Sequence, residues 1–517
     1  MWLLLALTIF FSIISTSMMS YLVMHLPLGP WAGPIFVVVC MALMIPLVSR
    51  KWFQEHAIVT IAAGSIGGMI GLGLGATVPS FYFLHKVVFL QLLEQPMIFI
   101  GMLSILVCCA GTFAFLIAYA IKDHVIVALG LRFPMSKVVY DIISVNYYTD
   151  LHRRMWLGLW ITSIFNMILL AIRYALSIHM MSYHMIPMLL PIGFLVGSLS
   201  TIPLLIGLFN KIIAINFLSE YYFKNMNKEE LLVLFCLGML SVQIVHSIVR
   251  FLKTFIVKKR YQELIPTRIK AHFKEGVFVL IGIGNILITG FVFRFLGIGL
   301  PEQMMMFLLL FMVGLSVSQL IGSVGVVSID GFMWCILLLI LYSFSSLASF
   351  SLLIIALFVA VCLSMVIDLM FSYKLADLAQ ISYQRILKYQ LLGFGISIVF
   401  SAIVMWYYAQ FFSEESLKIF APRARHLDEL IQFGLFNYKA YLCGVVSGIF
   451  VLLTKQRLLM VIGATLVSSV TTICLVLAGF LSYWITKKEQ YFPLCFGMYA
   501  SQAFWMMIWA ILYHHLL

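Results

Sequence analysis

Runs of roughly twenty or more apolar residues, separated by short polar segments, recur from Trp2 to Leu517. Each is long enough to cross a hydrocarbon core about 30 Å thick as an α-helix. The pattern predicts spans at 2–25, 31–49, 56–84, 97–121, 155–178, 186–218, 231–256, 277–299, 304–323, 330–350, 351–373, 389–411, 438–454, 458–485 and 493–514. Two of these are too long for one crossing. The stretch 186–218 is broken by Pro187, Pro191, Gly193, Gly197, Pro203 and Gly207, and 458–485 by Gly463, Gly479 and the pairs Ser468-Ser469 and Thr471-Thr472. Broken helices in matching places of two halves are a transporter pattern. The expected fold is an all-α polytopic membrane protein of about 14–16 transmembrane helices, in two related halves with broken or re-entrant helices.

Charge sets the orientation. Basic residues concentrate in 122–154 (Arg132, Lys137, Arg153, Arg154), 257–275 (Lys258, Lys259, Arg260, Arg268, Lys270, Lys274) and 374–388 (Lys374, Arg385, Lys388). Retained positive charge marks the cytoplasmic side, so all three loops are expected there; a cytoplasmic N-terminus satisfies the first of them, helped by Arg50 and Lys51. Counting crossings satisfies this only if the two long stretches are split. The halves then run parallel, 1–265 and 266–517.

Composition removes the soluble alternatives. Hydrophobic residues make up 63% of the 517, charged residues only 10%, and mean hydropathy is +1.10. An excess of 32 Lys and Arg over 19 Asp and Glu raises the question of nucleic acid, but the basic residues sit in loops between apolar runs, so no nucleic-acid partner is expected. The first run has no basic residue before it and no small-x-small site after it, which reads as a retained span in a bacterial inner membrane. Nine cysteines without a CxxC give no reason to infer a disulfide or a metal. The chain has neither a GxxxxGK[ST] loop nor an HExxH, so no cofactor and no built-in ATPase or zinc protease is expected.

Ionisable residues at membrane depth are the candidates for chemistry, since each costs roughly 2.5–3.5 kcal/mol to insert. They are Arg173, His246, Arg250, Arg294, Asp330 and Asp368. The arginines lie near span ends and can reach the interface. Asp368 is a candidate proton or cation site, with an ion pair to Lys374 as the plain alternative. Asp330, after Gly322, Gly325 and Ser328, is a candidate for lining a substrate path. Glu55 opens the third span, where helix capping competes with a proton-linked role. Behind it Gly64, Gly67, Gly68, Gly71, Gly73 and Gly75 recur at a spacing that admits close helix packing, with a substrate path as the other reading.

Several stretches resemble the oligopeptide transporter (OPT) superfamily, which includes peptide transporters and yellow-stripe-like carriers of metal chelates. QEHAIVTIAAGSIGGMIGLGLGATVP (54–79) resembles its early Asn-Glu, Gly-rich helix, with Gln54 in place of Asn. LRFP (131–134), followed by a helical stretch to Asp141, resembles its Phe-Pro element after a basic loop, and LPIGFLVG (190–197), ending at Gly197, its Gly-aromatic-x-x-Gly span. SVSQLIGSVGVVSIDGF (316–332) is similar to a segment with Arg, Gly-x-x-Gly and Asn-Pro, but Gln319 replaces the Arg and the Asn-Pro is missing. DLMFSYKLADLAQISYQRILKYQLLG (368–393) matches its Gly-Asp helix and Gln-x-x-Gly helix at Asp368, Lys374, Gln390 and Gly393, with Ile367 and Ser372 as departures. VIGATLVSSVTTICLVLAG (461–479) resembles its C-terminal Gly-rich span more loosely.

The resemblance implies roughly sixteen helices in two halves and proton-coupled uptake of small peptides or metal chelates. Protons are then the coupling ion, with Asp368 or Glu55 titrating, and the expected path residues are Glu55, Gly64, Gly67, Gly68, Gly197, Gln319, Gly322, Gly325, Asp330, Asp368 and Lys374. The alternatives weighed are a lipid-modifying transferase using His246 or His514-His515, and a non-transporting membrane scaffold.

Overall fold

The computed structural model describes residues 2–25, 50–144, 150–176, 186–224, 228–257, 275–325, 329–344, 347–412, 437–453, 469–485 and 488–516, with the single residues 226, 427 and 431. The expected span 31–49 and the interior of the basic loop 257–275, including the half boundary, lie outside them. Among the described residues there is no strand. In hydrocarbon every backbone N–H and C=O must be paired within the protein, and a helix does this inside one segment.

The helices are α1 (Trp2–His25), α2 (Arg50–Leu84), α3 (Lys86–Leu93), α4 (Pro96–Lys122), α5 (Pro134–Ser144), α6 (Asp150–Leu176), α7 (Ile186–Val196), α8 (Ser198–Tyr221) and α9 (Lys228–Val257). After them come α10 (Glu275–Phe295), α11 (Leu300–Val324), α12 (Ile329–Ser343), α13 (Ser349–Ala379), α14 (Tyr383–Ala409), α15 (Tyr438–Leu452), α16 (Ser469–Trp484) and α17 (Phe492–Leu516). Among the described residues nine helices are long and apolar enough to cross a bilayer, and four shorter apolar helices accompany them. The chain is an all-α, multi-pass integral membrane protein.

Its centre is built on α2 and α13. Every residue of α13 from Ser351 to Tyr373 is buried, and α2 is buried along its whole apolar stretch. A helix apolar on all sides belongs in the middle of a membrane bundle. Around this pair pack α1, α4 and α14, with α11 and α12 against α13; α6, α7, α8, α16 and α17 form a second group, in which α6 packs on α17 and α16 on α7 and α8.

The glycines of α2 explain how its neighbours come so close. A Cβ on Gly64 would stand 2.7 Å from Cβ of Phe11, and one on Gly71 2.6 Å from the Thr16 carbonyl oxygen, so α1 lies directly on this stripe. On another face, a Cβ on Gly73 would stand 2.7 Å from Cα of Val361 in α13. Small residues let backbones approach where hydrophobic expulsion offers no force between helices. Ser15 and Thr16 of α1 close the polar accounts locally, donating to the carbonyls of Gly64 (2.5 Å) and Ser12 (2.7 Å).

Two chain breaks fall at glycine. The long stretch 186–218 is indeed two helices, α7 and α8, parted at Gly197 with φ +83°, a left-handed backbone that L side chains rarely adopt. Between α11 and α12, Gly325 takes φ +84° and its N–H closes the helix on Ile321 O at 2.8 Å. Of 458–485, only 469–485 lies within the described residues.

The polar stretch 122–154 departs from its reading as a plain loop. α4 runs on into a π-helical turn, Asp123–Ala128, and α5 starts at Pro134, whose fixed φ and missing N–H suit a first helical position. Of the LRFP element between them Phe133 is buried: its N–H donates to Gly322 O at 2.8 Å, its ring lies 6.1 Å from that of Phe371, and Ser136 Oγ donates to Phe371 O at 3.0 Å. An element of 11 residues is too short to register as a span, which is why the pattern of long apolar runs passes over it.

Candidate functional site

The α2–α13 interface holds a carboxylate at depth. Asp368 is fully buried, and its Oδ2 accepts a hydrogen bond from Ser65 Oγ at 2.8 Å. Ser65 meets Asp368 while Gly73 meets Val361, so α2 and α13 run antiparallel. Ten residues separate Ser65 from Glu55, about 15 Å along the helix, or half a hydrocarbon core. Neither side chain reaches an interface from there.

Around this carboxylate both helix ends are closed. At the basic end Glu55 pairs with Arg385 of α14, and Lys374 with Asp377 at 2.9 Å. Lys122, also buried, lies 3.9 Å from Asp123, with its ammonium over the rings of Tyr119 (4.5 Å) and Tyr383 (5.0 Å). Cation–π contact of this kind holds a charge that water does not reach. The segments around 55, 122 and 374–385 thus share one end of the bundle, as their basic charge requires. At the opposite end the closure is aromatic: Phe81 packs on Phe350, Phe89 on Phe99 and Phe412, and His85 Nε2 hydrogen-bonds Ser349 Oγ at 2.8 Å.

The other expected residues lie elsewhere. Gln319 on α11 accepts from Ser247 of α9 at 3.2 Å, and Ser247 accepts from Gln243 at 3.2 Å. Asp330 is buried in the first turn of α12, where a carboxylate is favoured by the helix dipole. Gly322 faces Leu131 and Phe133, and Gly325 faces Pro134 and Met135, so both receive the LRFP element. Gly64 and Gly67 face α1, and Gly68 is buried in α2. Gly197 is the break before α8, and Lys374 is engaged with Asp377. Asp368 and Gln319 therefore have different neighbours, α2 and α9. The side chains of Arg173, His514 and His515 lie outside those described.

Two buried lysines are absent from the sequence candidates, and Gln390 is present there without a role. Lys211 is 2% exposed in the middle of α8; with 186–218 taken as one stretch it stood near the end. Lys122 stood at a predicted span end. Gln390 entered only as a family match, yet it is fully buried and both its amide atoms lack a partner among the described residues. An apolar groove of about 850 Å³ between α8, α9 and α15 is lined mainly by side chains such as Phe209, Ile213 and Phe450 and has no carboxylate. Among the described residues no group of His, Cys, Asp and Glu has the arrangement to hold a metal.

No protein-family model matches the chain, and no curated protein matches it.

Proposed function

We propose that this membrane protein is a gradient-driven secondary transporter, with Asp368 as the carboxylate that links protons to movement of a solute. The observation that carries this reading is the wholly buried Asp368–Ser65 pair between the two most enclosed spans. Ionisable groups held at membrane depth are costly and mark ion and substrate pathways. Helices broken at Gly197 and Gly325 add support, because interrupted spans leave helix ends free to meet a solute. The ionic closure at one end and the aromatic closure at the other fit an occluded stage of alternating access.

The solute class proposed is small peptides or metal chelates, and it rests on the resemblance to the oligopeptide transporter superfamily. The test is uptake by proteoliposomes under an imposed pH gradient, with di- to tetrapeptides and iron chelates in separate arms. Wild-type protein is expected to accumulate one class, and Asp368→Asn to insert normally but lose uphill accumulation. Undiminished accumulation by Asp368→Asn would falsify the coupling role. Absence of flux of either class from correctly inserted wild type would overturn the solute assignment.

A further inference from the structure

Three buried polar side chains without a hydrogen-bond partner among the described residues lie at one level of the central bundle. Gln390 on α14 has neither amide atom paired among the described residues, so exchanging its oxygen and nitrogen changes nothing. Thr60 on α2 and Thr8 on α1 are also fully buried, and neither hydroxyl has a partner among the described residues. A threonine inside a helix ordinarily donates to the carbonyl one turn back, as Thr16 does to Ser12 (2.7 Å) and Thr77 to Gly73 (2.9 Å). Thr8 and Thr60 do not.

Helix register brings the three together. Arg385 and Gly393 of α14 meet Glu55 and Ala63 of α2, and Ser397 stands against Gly67, so the two helices advance in step and Gln390 falls beside Thr60. On α1, Ser12, Thr16 and Ser20 stand alongside Ala63, Gly67 and Gly71, and one turn earlier Thr8 reaches the level of Thr60. Gln390, Gly393 and Ser397 occupy one face of α14, since residues three, four and seven apart share a face. All three polar groups therefore point into the α1–α2–α14 junction. The level is five residues, about 7.5 Å, inside the Glu55–Arg385 pair.

The chemistry selects the occupant. It must accept from an amide nitrogen, donate to an amide oxygen and bond two hydroxyls. A cation would leave the nitrogen unsatisfied, and the carboxylate nearest in register, Glu55, is already engaged by Arg385. An apolar group would leave all four atoms orphaned, and native proteins satisfy such groups with ordered water. Water bonds about three partners in buried sites. We propose that Thr8, Thr60 and Gln390 hold internal water, the first station of a solvent path that lies behind the Glu55–Arg385 pair and opens when that pair parts. The hydroxyls of Ser397 and Ser20, farther along the same junction and without a partner among the described residues, continue it.

The test is thiol accessibility in a background without the nine native cysteines. Methanethiosulfonate reagents modify thiolates, which need water to form. Thr8→Cys, Thr60→Cys and Gln390→Cys are each expected to react at least about tenfold faster than Ile61→Cys, a buried neighbour outside the junction, which in free energy is about 1.4 kcal/mol. Adding Glu55→Gln is expected to raise the first three rates further and leave Ile61→Cys unchanged. Equal rates at all four positions, with and without Glu55→Gln, overturn the proposal. Should the variants fail to fold, X-ray radiolysis of the unmutated protein decides: it oxidises side chains beside ordered water, and modification is expected at Thr8, Phe11 and Thr60, all buried, but not at Ile61. A lack of modification there refutes the site. Neither readout requires a substrate, so failure here and failure of the transport reading are separate results.

Discussion

The glycine seam makes a prediction whose sign and size both come from the geometry. Gly73 and Gly395 are both helical glycines of the central bundle, on α2 and α14. A Cβ on Gly73 would stand 2.7 Å from Cα, 2.8 Å from N and 2.8 Å from Cγ2 of Val361, whereas one on Gly395 would meet nothing within 4 Å. Two of the atoms facing Gly73 are backbone, so no rotamer change relieves the clash and α2 must retreat from α13 by about 1 Å. Overpacking of this kind costs about 1–3 kcal/mol. Each alanine also gains the roughly 0.5–1 kcal/mol by which it outperforms glycine in a helix. That gain is common to both variants, so their difference is the overpacking cost alone, roughly 5- to 150-fold in the folding equilibrium. Gly395→Ala should be slightly stabilising and Gly73→Ala destabilising. Reversible unfolding in mixed micelles, followed by helical circular dichroism, measures both. Equal stabilities would mean that α2 and α13 are not in backbone contact at Gly73, and the placement of Ser65 against Asp368 would fall with it.

Three further outcomes are expected. Gly130→Asn should be nearly neutral, because asparagine tolerates the left-handed φ of +56° and nothing lies within 4 Å, while Gly325→Asn at φ +84° should lose about 1–3 kcal/mol against Pro134 and Met135; thermal melts of the pair discriminate between strain and space. The Glu55–Arg385 pair sits at the bundle end with side chains 26% and 39% exposed, so a double-mutant cycle should give a coupling of only about 0.2–1 kcal/mol. That coupling should shrink as salt is raised; one that ignores salt would place the pair in a dry environment. Lys211→Met should match or exceed wild-type stability, since it removes an ionisable group from mid-span at similar volume; a marked loss would show that the lysine's polar contacts hold α8 in place.

How far the sequence reaches depends on which physical signal a residue emits. Long apolar runs dictate the helices, and the prolines and glycines of 186–218 mark a break there, but that it falls at Gly197 is decided by the left-handed backbone of the folded chain. Asp368 was visible as a carboxylate too short to reach an interface, but its partner Ser65 was not: one serine in a glycine-rich helix carries no sign of which neighbour it faces. The same holds for the glycines, whose spacing announces close packing without saying that Gly64 and Gly71 serve α1 and Gly73 serves α13. α5 is expected only through the LRFP resemblance and its helical stretch to Asp141; the pattern of long apolar runs passes over it because a helix of 11 residues is shorter than a span.

Gln390 and Thr60 show the deepest limit. In a list of residues they are an ordinary polar pair on two helices hundreds of positions apart, and polar residues in spans commonly serve as hydrogen-bonding glue. What sets them apart is a missing bond, and a missing bond is a property of the assembled structure. Ser15 on α1 and Thr77 on α2 each find a carbonyl, so the bundle is able to satisfy its hydroxyls where packing is the only demand. Leaving Thr8, Thr60 and both ends of the Gln390 amide unsatisfied at one level would cost about 1–3 kcal/mol for each group. That is comparable with the whole stability margin of a domain, roughly 5–15 kcal/mol. Polar groups kept at such a cost, behind an ion pair that can part, are better explained by an occupant than by chance.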